Sequence, residues 1–242
     1  DVKIDSYKVT NPIGFQGKEV EVGVFNAFAP IVHLGALQTI AEDLDLDLIS
    51  VTAEPYAVAH ALSQEESIEF SAIFIDIGGG TTDVAVVRAG GIEGTKMFAF
   101  GGRTFTKRLV NEFNISFSKA EELKLKYSNG ELNGTKLEKV KKALGADAKI
   151  WLEGLTITLE DFTGIDLLPS RILLCGGGSH LPEIISSLKE TNWYQDLPFA
   201  RKPAIQFIHP KDIARVIDET NSLNDPQNVT PLSLANIAID LI

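Results

Sequence analysis

A single cysteine, Cys175, stands among 242 residues. That excludes an intrachain disulfide framework and any metal site built from several cysteines. It fits a reducing compartment. No apolar run approaches the roughly 18 residues that a bilayer-spanning helix needs, and no signal-peptide pattern is visible. Basic charge is also short: 22 Lys and Arg face 33 Asp and Glu, leaving a net charge of -11. Such a chain offers no basic footprint for general nucleic-acid binding. The four histidines, His33, His60, His180 and His209, are scattered without metal-ligand spacing. What remains is ordinary for a globular protein, 44% hydrophobic and 23% charged. The length suits one large domain or two small ones. The first residue is Asp1, not Met, so we read the chain as part of a longer protein.

Strand and helix patterns alternate along it. Val20 to Phe25 alternates apolar and polar residues as far as Val24, after turn signals at Asn11-Pro12 and Gly14 to Gly17. Residues 32–45 predict a helix with Leu34, Leu37, Ile40, Ala41 and Leu44 on one face. Leu46 to Val51 predicts a short strand, and Pro55 opens a helix to Leu62. Three strands follow with tight turns: Ala72 to Asp76, Val84 to Val87, and Met97 to Phe100. Thr104 to Phe113 reads as helix. Ser118 with Glu121 matches a capping box for a helix from Lys119 to Lys126. Residues 128–150 are polar and lysine-rich, which predicts an exposed segment. Ile172 to Cys175 is a further buried strand, Pro182 to about Lys189 a helix, residues 195–228 irregular, and Pro231 opens a last apolar helix. The class is α/β, and the tight turns between residues 72 and 100 make the sheet mixed.

The strongest chemical signal is Asp76-Ile77-Gly78-Gly79-Gly80-Thr81-Thr82-Asp83, set between two apolar strands. Glycines leave no Cβ in the way, so backbone N–H groups can approach a phosphate closely. The threonines add hydroxyl donors. Asp76, at a strand end, can face magnesium through water, since magnesium at phosphate sites keeps several waters and one or two carboxylates. A plain hairpin also uses glycine, but seldom with an acid and two threonines at these positions. The segment is not a Walker loop, because no lysine follows the glycines, and not a Rossmann loop, because a strand follows and not a helix.

Cys175-Gly176-Gly177-Gly178-Ser179 is a second strand running into glycines and then a helix. Such a turn can lie flat against a base or ribose, or be an ordinary strand–helix connection. Ala120-Glu121-x-x-Lys124 places an acid and a lysine on one helix face, either to grip ribose hydroxyls or as a surface ion pair. His180 follows Ser179, but neighbours on a turn seldom point together and the sequence shows no acid to orient the histidine. Cys175, Trp151 and Trp193 read as packing residues.

In this order, Asp76-x-Gly-Gly-Gly-Thr-Thr-Asp83, Gly101-Gly102, Ala120-Glu121-x-x-Lys124 and Gly176-Gly177-Gly178 resemble the actin-like ATPase superfamily of actin, DnaK-type chaperones, MreB, FtsA and PilM. The resemblance runs from about residue 5 to 240 and implies an actin-like (ribonuclease H-like) lobe, with a mixed sheet flanked by helices. Within the superfamily the chain is most similar to the FtsA family, through Asn11-Pro12-Ile13-Gly14-Phe15-x-Gly17-Lys18-Glu19-Val20, Gly101-Gly102-x-x-x-Thr106 and Ala120-Glu121-x-x-Lys124-x-Lys126-Tyr127. PilM shares the later motifs.

The resemblance implies ATP with Mg2+ as cofactor. Asp76 would position the metal, and Gly78, Gly79, Gly80, Thr81 and Thr82 would form the second phosphate loop. Gly101 and Gly102 would belong to the same site. Glu121 and Lys124 would contact ribose and adenine, and Gly176, Gly177, Gly178 and Ser179 would form the adenosine loop. Glu54-Pro55 resembles the Glu-Pro of DnaK-type chaperones and MreB, which implies that Glu54 orients an attacking water; it can equally be a helix-terminal acid facing the dipole. The implied layout is residues 1–71 as the end of a first lobe with its linker helix, 72–228 as a second nucleotide-binding lobe with a small subdomain near 113–150, and 229–242 as a returning helix.

The first phosphate loop and most of the inserted subdomain of FtsA are absent, and Pro198 to Pro231 is unlike the family's compact ending. The implied protein is a cytoplasmic one at the inner face of the cell membrane, a slow magnesium-dependent ATPase whose nucleotide controls assembly into filaments and docking of an FtsZ-like division protein. The membrane anchor would lie in a segment absent here. The rival is a non-hydrolysing scaffold of the PilM type with pilus-assembly partners, and a third reading is a sugar kinase of the same superfamily.

Overall fold

The computed structural model describes residues 2–9, 11–24, 26–63 and 70–241. Asp1, Thr10, Phe25, residues 64–69 and Ile242, which fall within segments discussed above, lie outside the described residues. Contacts divide the chain into two units, Asp1–Ala53 and Glu54–Ile242.

The smaller unit holds a three-stranded antiparallel sheet of β1 (Val2–Ile4), β2 (Tyr7–Lys8) and β3 (Val20–Val22), with β1 central. The Asp5 carboxylate ties the sheet together by accepting from the N–H groups of Lys18 and Glu19 at 2.8 and 2.9 Å. Gly17 sits so close to Ile4 and Asp5 that no Cβ fits. Helix α1 (Ile31–Asp43) follows. Of its expected apolar face only Ala41 is buried; Leu34, Leu37, Ile40 and Leu44 are exposed. The strand expected at Leu46–Val51 does not form. Asp45 takes a left-handed conformation (φ 54°), Leu46 N–H turns back to the Ala41 carbonyl, and no described strand offers the segment a ladder.

The larger unit is a five-stranded mixed sheet between two helical layers. Helix α2 (Glu54–Ser63) leads into β4 (Ala72–Ile77), β5 (Thr82–Arg88) and β6 (Gly91–Phe98). Next come α3 (Gly102–Phe113), α4 (Phe117–Ser128), α5 (Gly134–Glu160), β7 (Arg171–Cys175), α6 (Pro182–Glu190), β8 (Ala204–Phe207) and α7 (Val229–Ile239). Strand order is β6-β5-β4-β7-β8; the first three strands are antiparallel, and β7 and β8 run parallel to β4.

Period-2 alternation sorts the strand residues into two cores. Ile73, Ile75, Ile77, Val84 and Val86 pack with Leu109, Leu144, Trp151 and Leu155 on the side of α3 and α5. Ala72, Phe74, Ala85, Val87 and Leu173 pack with Val58, Ala61 and Val229 on the side of α2 and α7. These central strands are buried on both faces, which is why they read as continuous apolar runs.

Three expectations about the helices and strands are corrected. The exposed polar segment at 128–150 is largely the first half of α5, with Val140, Leu144, Asp147 and Ala148 buried and the lysines at 136, 139, 141 and 142 on the outer face. Lysine density masked the helical period. Helix α4 is capped by Ser116, whose Oγ accepts from Lys119 N–H, not by Ser118. Glu121 is not a capping partner, because its carboxylate pairs with Lys124. The irregular stretch 195–228 contains β8, too short between Pro203 and Pro210 to show a pattern.

A polar relay fixes α5 to the sheet. The Trp151 indole N–H donates to Thr82 Oγ1 at 2.9 Å, and that hydroxyl donates to the Phe100 carbonyl at 2.7 Å. Trp151 and Thr82 have no exposed surface. Replacing the hydroxyl by a methyl leaves the buried Trp151 N–H and the carbonyl of half-buried Phe100 without this partner. Thr82→Val is therefore expected to lower stability by about 1–3 kcal/mol despite its greater hydrophobicity. Urea unfolding of the two proteins measures this, and an unchanged midpoint would remove the relay from the account of stability.

Candidate functional site

The β4–β5 turn, Gly78 to Thr81, closes with a bond from Gly78 N–H to the Thr81 carbonyl at 3.0 Å. The start of α3 holds it from outside. Gly102 N–H donates to the Gly78 carbonyl at 2.9 Å and Arg103 N–H to the Gly79 carbonyl at 2.7 Å. Gly101 has to be glycine: a Cβ there would stand 2.6 Å from the Gly78 oxygen and 2.8 Å from the Thr81 nitrogen. With the carbonyls turned to α3, the N–H groups of Gly79 and Gly80 meet no acceptor among the described residues.

Gly78, Gly79 and Gly80 differ from Gly101. None has a positive φ, and an added Cβ meets nothing closer than 3.5 Å at Gly78, 3.6 Å at Gly79 and nothing within 4 Å at Gly80. The fold itself does not require three glycines here. The open space beside them is a cradle that a Cβ would narrow, which fits the close approach of a phosphate group.

The second glycine turn packs against the same strand end. Gly176 has φ 81°, and a Cβ on it would collide with Asp76 and stand 2.6 Å from the Ile77 carbonyl; one on Gly178 would stand 2.5 Å from Ile77 Cγ2. A short 3-10 turn, Gly177–His180, follows. Between the two glycine turns, α3 and α4 lies a cleft of about 480 Å3, within the roughly 300–1,000 Å3 of small-molecule sites. A cleft of about 580 Å3 beside β8 contains neither glycine turn, so volume does not choose between them; chemistry does.

Of the residues singled out in the sequence, Gly78, Gly79, Gly102, Glu121, Lys124, Gly177 and Gly178 line the first cleft. Lys124 is buried, and its ammonium donates to the Gly102 carbonyl at 3.1 Å, Thr106 Oγ1 at 3.0 Å and Glu121 at 2.9 Å. It therefore orients Glu121, whose carboxylate also accepts from Thr106 Oγ1. Two hydroxyls point inward instead: Thr82 belongs to the Trp151 relay, and Ser179 Oγ donates to the Gly176 carbonyl at 2.7 Å. Thr81 Oγ1 donates to Asp83 at 3.1 Å.

Glu54 and Asp76 do not line this cleft. Alternation along β4 sets Asp76 on the α2/α7 face, where its Oδ2 accepts from Thr230 Oγ1 at 2.7 Å. Asp83 stands opposite Asp76 in the ladder. Desolvation first, then the Asp76 charge, pushes the Asp83 carboxyl above its ordinary 3.8, against the Thr81 hydrogen bond that lowers it. Glu54, the first residue of α2, is raised by desolvation and by the charges of Asp76 and Asp83, although an open side leaves water to moderate this. The Cys175 thiol, 1% exposed and next to Asp76, is raised well above its ordinary value by burial and that charge. Among the described residues no three His, Cys, Asp or Glu side chains converge enough to hold a metal alone. Magnesium beside phosphate needs only one or two carboxylates, and Asp76 and Asp83 stand at the ladder end beside the glycine turn, outside the cleft lining itself.

The sequence reading missed Arg103, Asp225 and Gln227, which also line the cleft. Arg103 was signalled by its place directly after Gly101-Gly102. Asp225 lay in a stretch without pattern, yet it is the acid that His180 lacked: His180 Nε2 is 3.0 Å from Asp225 Oδ1.

The sheet order, the helical layers and the paired glycine turns are those of an actin-like ATPase fold. The PilM-PilN type IV pilus biogenesis complex superposes with TM-score 0.67 at 21% identity over 85% of this chain and 57% of that one. Ethanolamine utilization protein EutJ from Carboxydothermus hydrogenoformans gives 0.56 at 23% identity over 83% and 59%.

In sequence, the family Cell division protein FtsA matches residues 73–233. The chain belongs to the FtsA family. It is 26% identical to Cell division protein FtsA of Streptococcus pneumoniae serotype 2 over 206 residues, 77% of this chain and 45% of the relative. It is 30% identical to that of Neisseria meningitidis serogroup B over 119 residues, 49% and 29%. The chain spans less than half the length of these relatives. No helix among the described residues is long and apolar enough to cross a membrane.

The raised Asp83 carboxyl gives a signed expectation. A carboxyl raised in the folded state removes stability as pH climbs from 3.8 through its folded value, because the native protein keeps the proton longer. Asp83→Asn should flatten that decline and raise Tm at pH 7 by roughly 1–3 °C. Melting curves from pH 4 to 8 check it; a lower Tm at every pH would show that the acid supports the turn more than it strains it.

Proposed function

We propose that the larger unit is a nucleotide-binding lobe that takes ATP with Mg2+ in the cleft over Gly78–Gly80, and that the bound nucleotide controls docking of an FtsZ-like division partner and self-assembly. The observation that carries the reading is the trio of glycines that the fold does not require, with two N–H groups that meet no acceptor among the described residues. In this reading the phosphates lie on Gly78 to Thr81, Glu121 faces the ribose with Lys124 holding it, and Gly177 and Gly178 pass under the base. Asp76 serves magnesium, whose charge offsets that of the phosphates when it is bound. Glu54, whose carboxyl desolvation and then the charges of Asp76 and Asp83 hold above its ordinary value, orients water. The pairing of FtsA family membership with an open glycine turn whose fold does not demand its glycines supports nucleotide control over a purely mechanical scaffold; sites at the membrane and septum belong to the same proposal.

Gly80 provides the test. Among the described residues, chain neighbours aside, nothing lies within 4 Å of a Cβ at this position, so Gly80→Ala and Gly80→Val should melt within about 2 °C of the parent chain. Both should weaken Mg-ATP in a calorimetric titration, Val by at least about tenfold, because Gly80 shares the turn with the cleft-lining Gly78 and Gly79, against which the proposed phosphates lie. Equal ATP affinity in all three proteins would remove the phosphates from this turn. No heat with the parent chain would favour a scaffold that does not use nucleotide.

A further inference from the structure

The cleft has an electrostatic imbalance. The chain carries a net charge of -11, Glu121 and Asp225 line the cleft, and Asp76 and Asp83 stand opposite one another at the ladder end beside the turn. A polyphosphate entering there meets like charge, and backbone N–H groups alone supply only partial charges. The turn also lacks the lysine that follows the glycines in a Walker loop.

Three basic side chains line the cleft: Arg103, Lys124 and His180. Two are committed within the protein. The Lys124 ammonium has three acceptors, one of them the Glu121 carboxylate, and His180 is paired with Asp225. Arg103 is different. Its side chain is exposed and has no hydrogen-bond or ion-pair partner among the described residues. It lies across the glycine turn, with Nε 3.6 Å from where a Cβ on Gly79 would stand. Its own N–H, bonded to the Gly79 carbonyl at 2.7 Å, anchors the residue at that spot. The first N–H groups of α3 are engaged by the turn, so the helix end is not itself an anion site. A cation in the first turn of a helix is opposed by the helix dipole. A feature that is locally unfavourable in the free protein and placed in a cleft points to a ligand that relieves it.

We propose that Arg103 is the cation of the phosphate subsite, a specificity residue that binds the β- and γ-phosphates of a nucleoside di- or triphosphate over the Gly78–Gly80 turn. This rests on the nucleotide reading above. A guanidinium suits the task because its planar fork of donors matches phosphate oxygens, and it stays charged at every working pH. The residue adds affinity in proportion to phosphate charge and nothing to recognition of the nucleoside.

The test is calorimetry on the full chain with Mg-ATP, Mg-ADP and adenosine, at low and high ionic strength. It compares the parent with Arg103→Ala, Arg103→Lys and Lys107→Ala, the last removing the same charge from α3 outside the cleft lining. Arg103→Ala should lose about tenfold in Mg-ATP affinity, less for Mg-ADP, and leave adenosine unchanged. Its ATP affinity should also depend less on salt. Arg103→Lys should recover much of the loss, and Lys107→Ala should match the parent. Melting temperatures equal to the parent's confirm that the variants are folded. Unchanged ATP affinity in Arg103→Ala, or an equal loss for adenosine, overturns the assignment while leaving nucleotide binding intact. A parent chain that binds none of the three ligands overturns both readings.

Discussion

Two backbone hydrogen bonds, from Gly102 and Arg103 to the carbonyls of Gly78 and Gly79, organise the rest of the site. They turn the carbonyl side of the hairpin toward α3 and so expose the opposite, N–H side. They require glycine at position 101, because any side chain would wedge the helix away from the turn. They also set where α3 starts. From there Thr106 and Lys124 meet, and Glu121 is held at the cleft wall. A turn that is only a sharp reversal could tolerate slack in these contacts. One that presents amides to an anion cannot, since each N–H loses strength steeply as its angle departs from the acceptor.

The sheet separates two kinds of polar chemistry by its alternation. On the α3/α5 face Thr82 is fully satisfied by Trp151 and Phe100, and it stabilises. On the α2/α7 face, one rung along from the Ile77–Thr82 pair, Asp76 and Asp83 oppose each other and draw Glu54 into the same field. The first face is assembled for rigidity. The second gathers three acids, with the hydroxyls of Thr81 and Thr230 as hydrogen-bond partners of Asp83 and Asp76.

The central strands and glycine turns were legible in the sequence because the strands are buried on both faces, so that Ile73 to Ile77, interrupted only by Asp76, and Ile172 to Cys175 show apolar runs ending at glycine. What escaped depended on contacts distant in sequence. Leu46 to Val51 has strand composition but no ladder to join. The lysines of α5 concealed a stripe that only the sheet reveals. Ser118 had the right neighbours for a cap, yet Ser116 sits at the helix boundary. Thr82 and Ser179 are the right residue types for ligand contact, but partners inside the protein hold their hydroxyls. Asp225 was invisible as a site residue because 45 positions separate it from His180.

Cys175 turns this architecture into a built-in clock. It is the only thiol in the chain, it is almost wholly enclosed at the end of β7, and its proton is held tightly beside Asp76. A thiol in that state does not react with reagents or oxidants while the strand is in place, since only the thiolate attacks. Every labelling event therefore marks an opening of the sheet end where the two glycine turns meet. The rate of modification in the native protein reads how often that junction breathes, residue by name, without any engineered probe.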